Sequence, residues 1–265
     1  GYITEKSIYH GYHYAMAAVT DKCFAVLIGL AFKSQALLGM ARIFAEFNGV
    51  PEQITIDGEG SLNTDPARAW MTGKGEGQKS KVAVTEAYNP FRLGMIERRW
   101  GKWKAIARCL LEEANIDIPW WYYAMRMAVM ITNVTDLERD EEGNELPRTA
   151  YEAHFGEKPD MKRLILGPFG CAAWLILSEE QRQARGLSSS FGMRALHGVY
   201  LGPNLCPRTG GRHYDKVMRE GKDPNVEICF ETPEDYHVTP KIRDHVEIKP
   251  YPGAKYEILV PPDHM

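Results

Sequence analysis

The chain has 265 residues, 44% hydrophobic and 25% charged, which is enough apolar content for one large or two modest cores and argues against intrinsic disorder. A formal net charge of -3 excludes a blanket polycation, so any nucleic-acid surface has to be a local patch. Five scattered cysteines (Cys23, Cys109, Cys171, Cys206, Cys229) with no C-x-x-C pair argue against a zinc ribbon or a disulfide framework, and for a reduced intracellular compartment. Lys22 and Lys33 bracket the longest apolar run, which falls short of a membrane span. Gly1 is not a Met start and nothing resembles a signal peptide, so the chain reads as a piece cut from something longer.

In chain order, residues 12–20 and 23–32 are expected as two strands joined by the turn Asp21-Lys22. The second is almost wholly apolar, as a strand buried on both faces would be. Ser34 is placed to cap a helix running to about Asn48, with Leu37, Leu38, Ala41, Phe44 and Ala45 turned inward. Gly49 and Pro51 end it, and a strand over Ile54–Asp57 follows. A hairpin, then a helix, then a strand is the order of an α/β sheet with helices packed on it.

A short helix is expected at Pro66–Met71, and then a loop, GKGEGQKS. That loop lacks a leading strand and a GK[ST] ending, so it is not a phosphate-binding loop. The run Asp57-x-Glu59-x-Ser61 fails as a calcium loop, since Leu62 and Arg68 stand where Gly and Glu are needed. His10 and His13 have no cysteines within reach to form a zinc module. Lys81–Thr85 reads as a short strand. A second strong helix is expected over Pro119–Asn133, its aromatics Trp120, Trp121 and Tyr123 serving as core or, alternatively, as base-stacking rings. Asp136–Pro147 is read as an acidic solvated loop, Tyr151–Phe155 as a helical turn and Gly156–Pro168 as a linker. Strand-like runs at Ala172–Leu177, Leu196–Leu201 and Glu227–Phe230, separated by Gly and Pro, predict a small β-barrel. Four prolines beyond Pro240 mark an extended tail.

The most informative stretch is Asn89–Arg108, NPFRLGMIERRWGKWKAIAR. Ile96, Trp100, Trp103, Ala107, Leu110, Leu111 and Ala114 recur at helical spacing as one apolar stripe. Glu97, Gly101, Lys104 and Arg108 share a second face about a quarter-turn away. Two readings compete: an ordinary charged helix face with a first-turn Glu complementing the dipole, or a functional face. Asp57, at the end of a short strand, favours the second, because two carboxylates from a strand end and a helix start can share one hard cation such as Mg²⁺. Arg98, Arg99, Lys102, Lys104 and Arg108 place five positive charges in eleven positions, a row able to hold phosphates without reading sequence. Lys79, Lys81 and Arg92 are placed to extend it.

Taken together, these segments resemble the integrase of copia-type retrotransposons. The likeness rests on Tyr14–Phe32, Asp57-Gly-Glu-Gly, Asn89…Gly94-Met-Ile-Glu97-Arg98, Trp120-Trp121…Ala124…Ala128…Asn133, and Arg148-Thr-Ala-Tyr-Glu152…Gly156-Glu-Lys-Pro159. It continues through Phe169-Gly-Cys171, Arg194–Gly202 and Val226…Glu231, spanning about residues 12 to 235. The resemblance implies an RNase H-like mixed sheet with flanking helices over residues 1–135, a linker over 136–168, a small Src-homology-3-like barrel over 169–240 and a tail over 241–265. It implies a polynucleotidyl transferase that joins element ends to target DNA, using a carboxylate triad and two Mg²⁺ or Mn²⁺ ions. Asp57 and Glu97 carry over as the second and third acids. The partners implied are DNA and further copies of the same chain, with no membrane, first in a cytoplasmic particle and then in the nucleus. The family's first acid stands on a strand before the hairpin, where this chain offers only Glu5. That departure leaves two alternatives: an integrase core completed by residues upstream, or a non-catalytic nucleic-acid-binding remnant.

Overall fold

Strands β1 (Tyr14–Val19) and β2 (Ala25–Leu30) form an antiparallel hairpin, with Tyr14 opposite Leu30 and Val19 opposite Ala25. They open a computed structural model that describes residues 6–7, 11–47, 49–56, 61–73, 80–84, 90–139, 144–159, 161, 168–176, 179–184, 186, 192, 195–205, 213–219, 227–229 and 236–238. All six residues of β2 are buried, as its unbroken apolar run predicts. Alternation along the strand sends them to two different cores. Val26, Ile28 and Leu30, with Phe24 before them, pack against Met40, Ile43 and Phe44 of helix α1 (Ala36–Glu46), whereas Ala25 and Leu27 face a cluster built around Trp103, Trp120 and Tyr123. Ser34 does not cap α1. A 3₁₀ turn at Lys33–Gln35 precedes the helix, and the Gln35 amide oxygen accepts from the N–H groups of Ala31 (3.0 Å) and Phe32 (3.3 Å). A single Gln35 oxygen that accepts from two N–H groups takes the place of the hydroxyl cap.

Strand β3 (Gln53–Ile56) runs parallel to β4 (Lys81–Val84), Gln53 opposite Lys81. The crossover carries helix α2 (Asp65–Thr72), which starts on the Thr64 hydroxyl and ends at Gly73 in the left-handed region. Ile54 and Ile56 of β3 join the α1 side of the core with Ala67 and Met71 of α2. The antiparallel and parallel pairs give the expected mixture of strand directions, but among the described residues no ladder joins them into one sheet.

Helix α3 (Pro90–Ala114) has 25 residues and runs past the Asn89–Arg108 stretch to the end of the apolar stripe. Its end is a Schellman closure: Ile116 N–H bonds Leu111 C=O and Asn115 N–H bonds Glu112 C=O, with Asn115 at φ 54°. A 3₁₀ turn at Ile118–Trp120 leads into α4 (Trp121–Thr135), of which twelve residues are buried. The aromatics at its start are core, as the first of the two sequence readings holds. Inside the α3–α4 interface, the Trp103 indole donates to the Thr132 hydroxyl at 2.8 Å. Asn133 ties α4 to the hairpin, its amide oxygen accepting from Ala25 N–H (2.9 Å) and its amide nitrogen donating to Ala25 C=O (2.8 Å).

The expected acidic loop contains a hairpin instead. Strands β5 (Leu137–Arg139) and β6 (Glu145–Thr149) pair antiparallel, and Glu138 is buried against the guanidinium of Arg148. Helix α5 (Ala150–Phe155) opens with a capping box between Thr149 and Glu152.

The barrel expectation is overturned. Strands β7 (Ala172–Ile176), β8 (Ala195–Leu205), β9 (His213–Arg219), β10 (Glu227–Cys229) and β11 (Tyr236–Val238), with helix α6 (Glu179–Ala184) between the first two, form an open antiparallel sheet in the order β10-β9-β8-β7-β11. Closing a sheet requires its outermost strands to pair. Among the described residues β10 and β11, three residues each, pair only inward. This sheet meets α4 where Gly202 lies so close that a Cβ would stand 2.8 Å from the Met127 sulfur. The tail expected beyond Pro240, most of the 156–168 linker and residues 74–79 of the GKGEGQKS loop lie outside the described residues. Among the described residues no helix is long and apolar enough to cross a membrane.

Candidate nucleic-acid interface

The periodicity of α3 decides where its charges go. Trp103, Ala107 and Leu111 are buried, and Trp100, Leu110 and Ala114 pack at the rim, so the predicted stripe faces α4 and β1. What remains outward is the basic row, and tertiary structure divides it in two.

Arg99 and Lys102, three residues apart, sit on the flank turned toward the C-terminal end of α4. There they converge on one carboxylate, Asp136, with Lys102 Nζ 2.6 Å from Oδ1 and Arg99 Nη2 3.8 Å from Oδ2. The Arg99 side chain is 12% exposed, Asp136 20% and Lys102 50%. Arg99 Nη1 is buried with no hydrogen-bond partner among the described residues, so Asp136 does not saturate that guanidinium. Asp136 was not legible as part of this site from sequence, although an acid just after a helix needs a cation to offset the helix dipole.

On the opposite flank, Glu97, Gly101, Lys104 and Arg108 share a face as their spacing predicts. Lys104 Nζ lies 5.8 Å from the centre of the Trp100 ring. Arg108 is exposed, and a Cβ built on Gly101 meets only open space. Arg98, also exposed, donates from Nε to the carbonyl of Gly94 at 3.0 Å. Lys81 is exposed at the start of β4, while the side chains of Lys79 and Arg92 lie outside the described residues.

Glu97 is exposed and, among the described residues, makes no ion pair or side-chain hydrogen bond despite the surrounding cations. Asp57 follows directly on Ile56, at the end of β3, but lies outside the described residues. Among the described residues no group of three or more His, Cys, Asp or Glu side chains gathers to hold a metal. The donor set that can be placed is therefore a single carboxylate, which alone is too few protein oxygens to define a two-ion site. The arrangement can bind polyanions, and the chemistry of Glu97 depends on what stands opposite it.

No family model matches this chain, and no curated protein does. Among solved structures, it is similar to a chain in the cryoEM structure of simian T-cell lymphotropic virus intasome in complex with PP2A regulatory subunit B56 gamma. The similarity covers 90% of this chain and 80% of that one, at 12% identity and a TM-score of 0.44. At that score no residue or role is transferred from one chain to the other.

Proposed function

We propose that this chain is a nucleic-acid-binding module of integrase type that grips the phosphate backbone through α3 and performs no strand transfer by itself. The supporting observation is charge segregation. Between Pro90 and Arg108 there are six basic residues and one acid, so that segment carries +5 in a chain whose total is -3. The remainder is then strongly acidic, and a polyanion is steered to this one helix. The copia-type likeness, a polyprotein setting and self-association fit this reading and are proposed with it.

The test is binding to duplex DNA across a salt series. Lys104→Gln and Arg108→Gln should each flatten the slope of log K against log salt by about 0.9, the loss of one phosphate contact. Unchanged slopes in both would remove α3 from the interface. Asp57→Asn and Glu97→Gln should leave binding intact or slightly tighter.

A second reading is favoured by Glu97, which has no ion pair among the described residues although it stands in a basic row. Here Glu97 and Asp57 would each lend an oxygen to Mg²⁺ or Mn²⁺, which when bound activates the attacking oxygen at phosphorus. It predicts Mg²⁺-dependent joining of DNA ends only when an Asp-bearing strand is supplied ahead of β1, and loss of joining in Glu97→Gln.

A further inference from the structure

We propose that Asp136 is an internal competitor for the DNA backbone, a built-in carboxylate that occupies the cation of Lys102 until a phosphate displaces it. The inference rests on the α3 reading above and adds a regulatory contact to it. Three observations carry it. Asp136 is the acid on which two basic residues of α3 converge, and Glu138, two residues on, is already taken by Arg148. The Lys102 end of its pair with Asp136 is half open to solvent, so that cation can exchange partners. The more buried Arg99 holds Nη2 3.8 Å from the same carboxylate, while its Nη1 has no partner among the described residues, so Asp136 leaves that guanidinium incompletely satisfied.

The exchange is a swap of anions. The phosphate takes Lys102, Asp136 is released to water, and Arg99 stays as the fixed anchor. Part of the positive row is thereby withheld from weak anions and yielded to a backbone that arrives with several phosphates at once.

The main-chain bonds around Asp136 do not depend on its carboxylate, and because Arg99 loses a charge partner each variant is checked for folding by circular dichroism. Asp136 bonds Thr132 C=O and Ala150 N–H through its main chain alone, and neutralising an acid at the C-terminal end of α4 relieves an unfavourable dipole contact. The experiment measures duplex DNA binding by fluorescence anisotropy for the full chain, Asp136→Asn, Asp136→Ser, Lys102→Gln and the Asp136→Asn/Lys102→Gln double variant. Both Asp136 variants should bind about threefold more tightly, because no internal ion pair has to be broken, with the wild-type salt slope, since the complex holds the same phosphate contacts. Lys102→Gln should flatten the slope by about 0.9 in either background, but it should cost more affinity when Asp136 is absent than when it is present, a coupling that a merely structural Asp136 would not produce. Wild-type affinity in both folded Asp136 variants, a wild-type slope in Lys102→Gln, or an equal affinity loss from Lys102→Gln with and without Asp136 would overturn the proposal. Failure of the wider reading looks different: no variant binds, or Lys104→Gln and Arg108→Gln leave the slope untouched, and Asp136 then has nothing to compete with.

Discussion

Asn133 shows how one side chain can fix the relation between two layers. Ala25 is fully buried, and its N–H and C=O point away from β1, where no strand partner exists among the described residues. The Asn133 amide supplies both missing bonds and closes that edge of β2 against further pairing. Asn133→Ala should therefore lower stability by on the order of 2 kcal/mol, from two buried groups losing partners. The cost is held to that size by a cavity of about 20 Å³ already bounded by Ala25, Arg126, Glu46 and Asn133, which gives a water access to one of the two. Urea denaturation measures it, and a loss well under 1 kcal/mol would mean that the hairpin is held by packing alone. The spacing of Trp120, Ala124, Ala128 and Asn133 was visible in sequence as a pattern. Its reason was not, because the partner carbonyl and amide lie 108 residues away.

Among elements, α3 was the most legible and its end the least. An apolar stripe at helical spacing fixes which face is buried, and Trp103, Ala107 and Leu111 are buried accordingly. The stop at Asn115 depends on a left-handed residue that sequence marks only weakly. Asn115→Ala should cost about 1 kcal/mol and Asn115→Gly should cost little or nothing, since glycine takes positive φ without a Cβ penalty. Equal thermal midpoints for the two variants would show that the closure contributes nothing. The β5–β6 hairpin was unreadable for a different reason: Glu138 can be buried in it only because Arg148 neutralises the charge, a pairing that composition presents as solvated polar chain. The T-x-x-E signature of Thr149 and Glu152 was, by contrast, an available helix-start signal. For β7 and β8 the strand runs were legible, but closure is decided at the far edges, where no local pattern reports it. The carboxylates divide the same way: helical spacing put Glu97 and Lys104 on one face, while the link from Asp136 to Lys102 needed the tertiary fold.

At the scale of the whole molecule, separate parts of the chain meet on one imidazole. His154 of α5 stacks flat on Phe24 at the hairpin (ring centres 4.2 Å apart, planes 2° from parallel), with Phe47 from the end of α1 at 5.7 Å and Phe155 at 4.7 Å. Burial among these rings lowers the His154 pKa below its ordinary value; Lys22 lowers it further, while a hydrogen bond with the Phe47 backbone and the charge of Asp21 partly oppose the shift. The sign follows from linkage. Above about pH 6.5 the imidazole is neutral in both folded and unfolded chains, and the full contribution to stability is present. As pH falls below that value the unfolded chain takes up its proton first, so stability declines until the folded form is protonated as well, after which this loss levels off. His154→Phe keeps an aromatic face against Phe24 and removes the titration. Between about pH 6.5 and about pH 5 its thermal midpoint should fall less steeply than that of the wild type. Parallel curves for the two proteins across that window would mean that α5 and the hairpin are held together without reference to the charge on this ring.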